Sequence, residues 1–153
     1  MAGRRPAGRQ GGAVKRSGRL SYHLCRLLLG GVFVWAGAVK ALDVPAFAGQ
    51  VAAYRLLPYA WNYTVAATFP FVELLAGALL LLNLRVKPAA LLLMLLNGLF
   101  IVVLASVVAR GLEIDCGCFG PDAGTTPLQA LGRDLLLLAL AVAVYRQHDR
   151  YAA

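Results

Sequence analysis

PAALLLMLLNGLFIVVLASVVA, Pro88 to Ala109, carries no charge from end to end. A helix needs about 20 apolar residues to cross a hydrocarbon layer roughly 30 Å thick, and this run meets that length. Backbone groups inside lipid must find partners within their own segment, so the run reads as a membrane-spanning helix. On either side of it, three more apolar blocks follow the same pattern: about Ser21 to Leu42, Ala60 to Leu84, and Leu128 to Tyr145. The whole chain of 153 residues is 60% apolar and only 14% charged, outside the range of soluble domains. The expected fold is an all-α membrane protein, a four-transmembrane-helix bundle in one domain.

The ends and connections are short. Residues 1–19 combine Arg4, Arg5, Arg9, Lys15, Arg16 and Arg19 with Gly and Ala, and contain no acid and no aromatic residue. Such a composition cannot bury a core, so it is expected to be a disordered basic tail. Residues 20–146 form the membrane domain, and residues 147–153 a second short tail. No small-residue cleavage site closes the first apolar run, which argues against a removed leader. The stretch from Asp43 to Tyr59 reads as an amphipathic connection at the interface. Tyr54, Tyr59, Trp61 and Tyr63 are of the types enriched at headgroup depth. Gly30, Gly31, Ala36, Gly37 and Ala38 offer small surfaces for close helix packing.

The net charge of +8 does not point to nucleic acid, because no aromatic residue in the basic tail could stack a base. It points to membrane lipid and topology. The tails (with Arg26) and the Arg85–Lys87 turn hold 11 Lys and Arg residues (7 + 2 + 2), and the other two connections hold 4: Lys40, Arg55, Arg110 and Arg133. The positive-inside rule therefore puts both termini in the cytoplasm, and the connection between the last two spans on the outer face. Arg26 and Lys40, near the ends of the first span, are expected to snorkel toward headgroups.

That outer connection holds Asp115-Cys116-Gly117-Cys118-Phe119-Gly120-Pro121, where reactive side chains cluster. Two thiols this close can exchange with a partner disulfide and carry two electrons, and a strained small-ring disulfide is readily reduced. The pair reads either as an exchange-competent redox couple or as a fixed staple. No metal site is expected. Two sulfurs and Asp115 fall short of zinc's four ligands, and His23 and His148 belong to the opposite face.

Glu73, deep in the second span, is the other candidate. An intramembrane carboxylate is costly and often marks a functional path. It reads either as a proton or quinone site, or as a packing residue, protonated or hydrogen-bonded to Asn97. A direct pair with Lys40 is not expected, since Lys40 should sit near the outer surface. Arg133, beside Asp134, could stabilise a nearby thiolate, or could be an interfacial anchor paired with Asp134 or Asp115. Cys25 reads as a small packing residue.

The order of these features resembles the methylamine utilisation protein MauE family, a branch of the wider DoxX-like membrane proteins. The matching pieces are Arg26-Leu-Leu-Leu-Gly30, Phe33 with Gly37 and Lys40, Tyr54-Arg55-Leu56-Leu57-Pro58, Glu73 with Gly77, Arg110 to Gly120, and Arg133-Asp134. The resemblance implies a four-helix bundle like that of vitamin K epoxide reductase-type proteins, in a bacterial inner membrane. It also implies work beside a periplasmic thioredoxin-like (MauD-like) partner on disulfides of the methylamine dehydrogenase small subunit. The reading that follows is a membrane thiol–disulfide relay with Cys116 and Cys118 as the redox pair, and a quinone as a possible electron acceptor near Glu73. The alternative is a non-catalytic scaffold that docks a redox partner. A small transporter using Glu73 ranks below both, because four short-looped helices leave little room.

Overall fold

The computed structural model describes residues 10–112 and 126–151, and side chains from residue 17 onward within those ranges apart from that of Tyr59. The regular structure of the described residues is all helical, in five helices: α1 (Gln10–Leu42), α2 (Val44–Ala53), α3 (Tyr59–Leu81), α4 (Val86–Ala109) and α5 (Pro127–Tyr151). Four of them, all but α2, are long and apolar enough to cross a membrane. The protein is a multi-pass membrane protein, and its large exposed side chains fit that solvent. Leu28, Trp35, Leu75, Leu99 and Leu136 all point outward from the bundle.

The four spans form a closed ring in which α1 packs on α3 and α5, and α4 packs on α5 and α3. Lipid tails are as apolar as leucine, so helices associate here by close packing and polar contacts. Glycine makes the tightest contact possible between α1 and α3. A Cβ on Gly30 would stand 3.0 Å from the carbonyl oxygen of Gly77, and one on Gly77 would stand 2.9 Å from that of Gly30. A Cβ on Gly37 would meet the Pro70 carbonyl oxygen at 2.7 Å. These contacts set the register of the two helices.

Helix ends follow from local chemistry. Asp43 Oδ1 accepts from the Ala46 amide at 3.0 Å, and Pro45 sits in the first turn of α2, so the connection folds as a capped helix. Phe47 and Val51 of that helix are buried against Ala66 of α3. The connection is therefore packed onto the bundle as well as amphipathic. Gly111, at φ +63°, ends α4 with paired bonds from its own amide to Val108 and from Leu112 to Val107, an αL cap that glycine adopts without strain.

Three expectations are corrected. The helix α1 reaches back to Gln10, so residues 10–19 of the basic segment continue the span's helix, because backbone hydrogen bonds propagate from a formed helix without a core. Arg26 does not snorkel. It is buried, and Nη1 donates to the Leu80 carbonyl at 2.9 Å, one of the carbonyls that the end of α3 leaves unpaired within the helix. Tyr54 is likewise buried instead of interfacial, its ring edge-on to Phe100 at 6.1 Å.

The two ends of the bundle differ. Tyr22 hydroxyl lies 2.9 Å from His148 Nδ1, which brings α1 and α5 together at the terminal end. The apolar core around Leu29, Leu80, Leu93 and Val144 fills that half. The other half, toward the connection between α4 and α5, holds the buried Lys40, Glu73 and Asp134.

Candidate functional site

Each spanning helix contributes to one polar cluster. Lys40 Nζ of α1 donates to Glu73 Oε2 of α3 at 2.7 Å, and both side chains are almost fully buried. This corrects the expectation that Lys40 sits at the surface and does not meet Glu73. The register explains the difference. Gly37 lies against Pro70, eleven residues into α3 (70 − 59). At about 1.5 Å per residue, Lys40 then stands roughly 12 Å inside the level where α3 begins. A helical Cβ also leans toward its own N-terminus, so the lysine stem runs deeper into the bundle instead of outward.

Three phenyl rings surround the ammonium: Phe47 of α2, Phe69 of α3 and Phe100 of α4, with centroids at 5.5, 5.8 and 5.8 Å from Nζ. The negative faces of aromatic rings attract a desolvated cation. Phe69 and Glu73 are one helical turn apart, so α3 presents both the ring and the carboxylate on one face.

The second ion pair comes from α5. Arg133 Nε and Nη2 both donate to Asp134 Oδ1 at 3.0 Å, which places Arg133 with Asp134, one of the two partners the sequence offered it. Asp134 is buried, and its Oδ2 has no hydrogen-bond partner among the described residues. Asn97 of α4 does not bond Glu73. Its Nδ2 donates to the Asp134 carbonyl at 2.7 Å and joins α4 to α5. Lys40, Glu73, Asn97, Arg133 and Asp134 all line one small cavity of about 30 Å³. That is space for about one water molecule. Among the described residues, two cations and two anions thus gather at this cavity.

A second space lies beside the first. An entirely apolar cleft of about 510 Å³ runs between α2, α3 and α4, and Phe100 and Leu96 line both spaces. Tyr54 lines this cleft, and its carbonyl accepts from Arg110 Nη2 at 2.7 Å, which ties the end of α4 to that of α2.

Cys116 and Cys118 lie outside the described residues. Cys25 is half-buried, a free thiol packed against the apolar core, as a packing residue would be. Among the described residues no three His, Cys, Asp or Glu side chains gather closely enough to hold a metal ion. Sequence reasoning missed the Phe47, Phe69 and Phe100 cage. The signal available was the one-turn spacing of Phe69 to Glu73 and the three-residue spacing of Asn97 to Phe100, which set ring and polar group on a shared face.

Residues 19–146 match the profile of the family described as Methylamine utilisation protein MauE. The methylamine utilization protein MauE of Paracoccus denitrificans is 37% identical over 122 residues, which cover 78% of this chain and 65% of that relative. No solved structure matches.

Proposed function

The chain belongs to the MauE family of membrane proteins, and from that premise we propose that it is a thiol–disulfide relay of the bacterial inner membrane, serving methylamine utilisation as its relative's name describes. In this reading both termini face the cytoplasm, and Cys116 and Cys118 exchange with a periplasmic thioredoxin-like partner. One thiolate attacks the partner disulfide to form a mixed disulfide, and the other resolves it. Two electrons and two protons then pass between the proteins.

The observation that carries the proposal is the gathering of Lys40, Glu73, Arg133 and Asp134 around one cavity in the half of the bundle toward the cysteine-bearing connection. Charges inside a membrane are expensive, and they persist where protons, ions or substrates are handled. A dithiol that cycles releases and takes up protons, and this cluster offers carboxylates to receive them.

Single Cys116→Ser and Cys118→Ser variants test the relay. Each should leave its neighbour as a lone thiol that traps the partner as a mixed disulfide, and the double variant should stop maturation of the partner's disulfides at unchanged membrane abundance. Full maturation in the double variant would remove the relay.

One observation favours the scaffold reading. Lys40 and Glu73 neutralise each other, and so do Arg133 and Asp134, as purely structural locks would. Under that reading the cysteines are a staple, and partner binding survives their loss.

A further inference from the structure

The apolar cleft between α2, α3 and α4 suits hydrocarbon and nothing more polar. Its walls, from Phe47 of α2 to Phe69 of α3 and Val103 of α4, present no polar surface. Leu56, Leu57 and Leu99 line it and are exposed, so it opens onto the lipid-facing surface. On α4 the lining residues Leu96, Phe100 and Val103 share one face, and Arg110, seven residues past Val103, continues that face two turns on. From Leu96 to Arg110 is 14 residues (110 − 96), about 21 Å of helix. That is half of a bilayer about 40–45 Å thick with its head groups. Two guanidinium groups stand at the head-group end. Arg110 donates from Nε to the Ser106 carbonyl at 3.1 Å and from Nη2 to the Tyr54 carbonyl at 2.7 Å, and its Nη1 has no hydrogen bond among the described residues. Arg55 follows that same carbonyl, between Tyr54 and Leu56, which both line the cleft. Lys40 is matched by Glu73 and Arg133 by Asp134, whereas neither Arg55 nor Arg110 has a carboxylate within ion-pair distance among the described residues.

We propose that this cleft binds one anionic phospholipid, with an acyl chain lying along α4 against the phenylalanine rings and its phosphate between Arg55 and Arg110. The site is independent of disulfide exchange and involves no electron or proton transfer. An acyl chain brings no polar atom into a wall that has no partner for one. The two cations select the lipid, since each exposed Arg or Lys near a membrane surface favours anionic lipid by about fivefold. Phe47, Phe69 and Phe100 belong both to the cleft wall and to the cage around the Lys40 ammonium. A bound chain therefore backs the ring layer and keeps water from the Lys40–Glu73 pair behind it. A partner's transmembrane helix or a second copy of this chain would cover the same wall, but an apolar helix face offers nothing to the two guanidinium groups.

The test uses the full-length protein in lipid discs with phosphatidylglycerol carrying a diazirine on one acyl chain. Cross-links should map to Leu96, Leu99, Phe100 and Val103. Unlabelled phosphatidylglycerol should compete at least tenfold better than phosphatidylcholine. Arg55→Asn with Arg110→Gln should remove most of that preference; asparagine tolerates the φ of +52° at residue 55. Val103→Trp, which fills the cleft away from Lys40, should reduce cross-linking at least tenfold, and Leu75→Trp, on an outward-facing position, should leave it unchanged. The arginine variants leave the cleft walls intact, so the head-group contact is read separately from any effect of Val103→Trp on folding. Added phosphatidylglycerol should also raise the Tm of delipidated wild-type protein in detergent more than phosphatidylcholine does. Cross-links spread evenly over Leu75 and Leu136, equal competition by the two lipids, or equal labelling of the two tryptophan variants overturns the proposal. So does a second copy or a partner helix cross-linked through Val103 in place of lipid.

Discussion

Lys40 and Glu73, on antiparallel helices and 33 residues apart, meet at 2.7 Å inside a cage of three phenyl rings. Each charge is tolerable there only because the other is present. Desolvating either alone costs several kcal/mol, while a well-placed partner and polarisable rings return much of that. The pair therefore ties α1 to α3 and also stations a carboxylate beside the cavity shared with Asp134.

The pair makes a stability prediction. Lys40→Met or Glu73→Leu alone leaves one buried group without its partner and should destabilise the detergent-solubilised protein by about 3–5 kcal/mol. The combined Lys40→Met, Glu73→Leu variant should recover most of that loss. Thermal unfolding followed by circular dichroism reads the difference, and an additive double variant would show that the pair is not coupled.

The same variants separate structure from function. If Glu73 handles protons, the combined variant folds but still fails to mature the partner's disulfides. Normal turnover in that variant, at matched membrane abundance, would leave the pair with a packing role only.

Glycine contacts give a position-specific prediction. Gly37→Ala places a Cβ 2.7 Å from the Pro70 carbonyl oxygen and 2.9 Å from the Leu74 backbone nitrogen, neither of which is a flexible side chain. The helices must separate, at about 1–3 kcal/mol by the usual cost of overpacking. Gly31→Ala, with nothing within 4 Å of its Cβ, should be neutral or slightly stabilising, since alanine favours helix. Equal effects of the two substitutions on thermal stability would contradict the α1–α3 register.

Topology is tested by labelling. With both termini in the cytoplasm, a membrane-impermeant maleimide applied to intact spheroplasts after mild reduction should modify Cys116 and Cys118 in a Cys25→Ala background. Modification only after lysis would reverse the orientation.

The family relationship also narrows the search for partners. A thioredoxin-like protein trapped by Cys116→Ser or Cys118→Ser should carry its own reactive dithiol. Its release by dithiothreitol on a non-reducing gel distinguishes a mixed disulfide from ordinary association.

The amino-acid sequence was enough to settle the solvent and the number of crossings, but not where every helix ends. Length and apolarity made Pro88 to Ala109 a span, and Asp43 opened a connection, because those signals act within a few residues of where they are written. It also singled out Glu73 and the Arg133-Asp134 neighbours, since a charge in an apolar run stands out wherever it points. Partnership was another matter. Lys40 joined Glu73 because Gly30 against Gly77 and Gly37 against Pro70 slid α1 along α3 until Lys40 lay inside the layer, and Asn97 joined the Asp134 carbonyl where α4 packs on α5. Arg26 reached the open end of α3 through the same packing. Periodicity gives a residue its face on a helix but not the height of its neighbour on the next one. That height is decided by which backbones approach most closely, and only the packed bundle settles it.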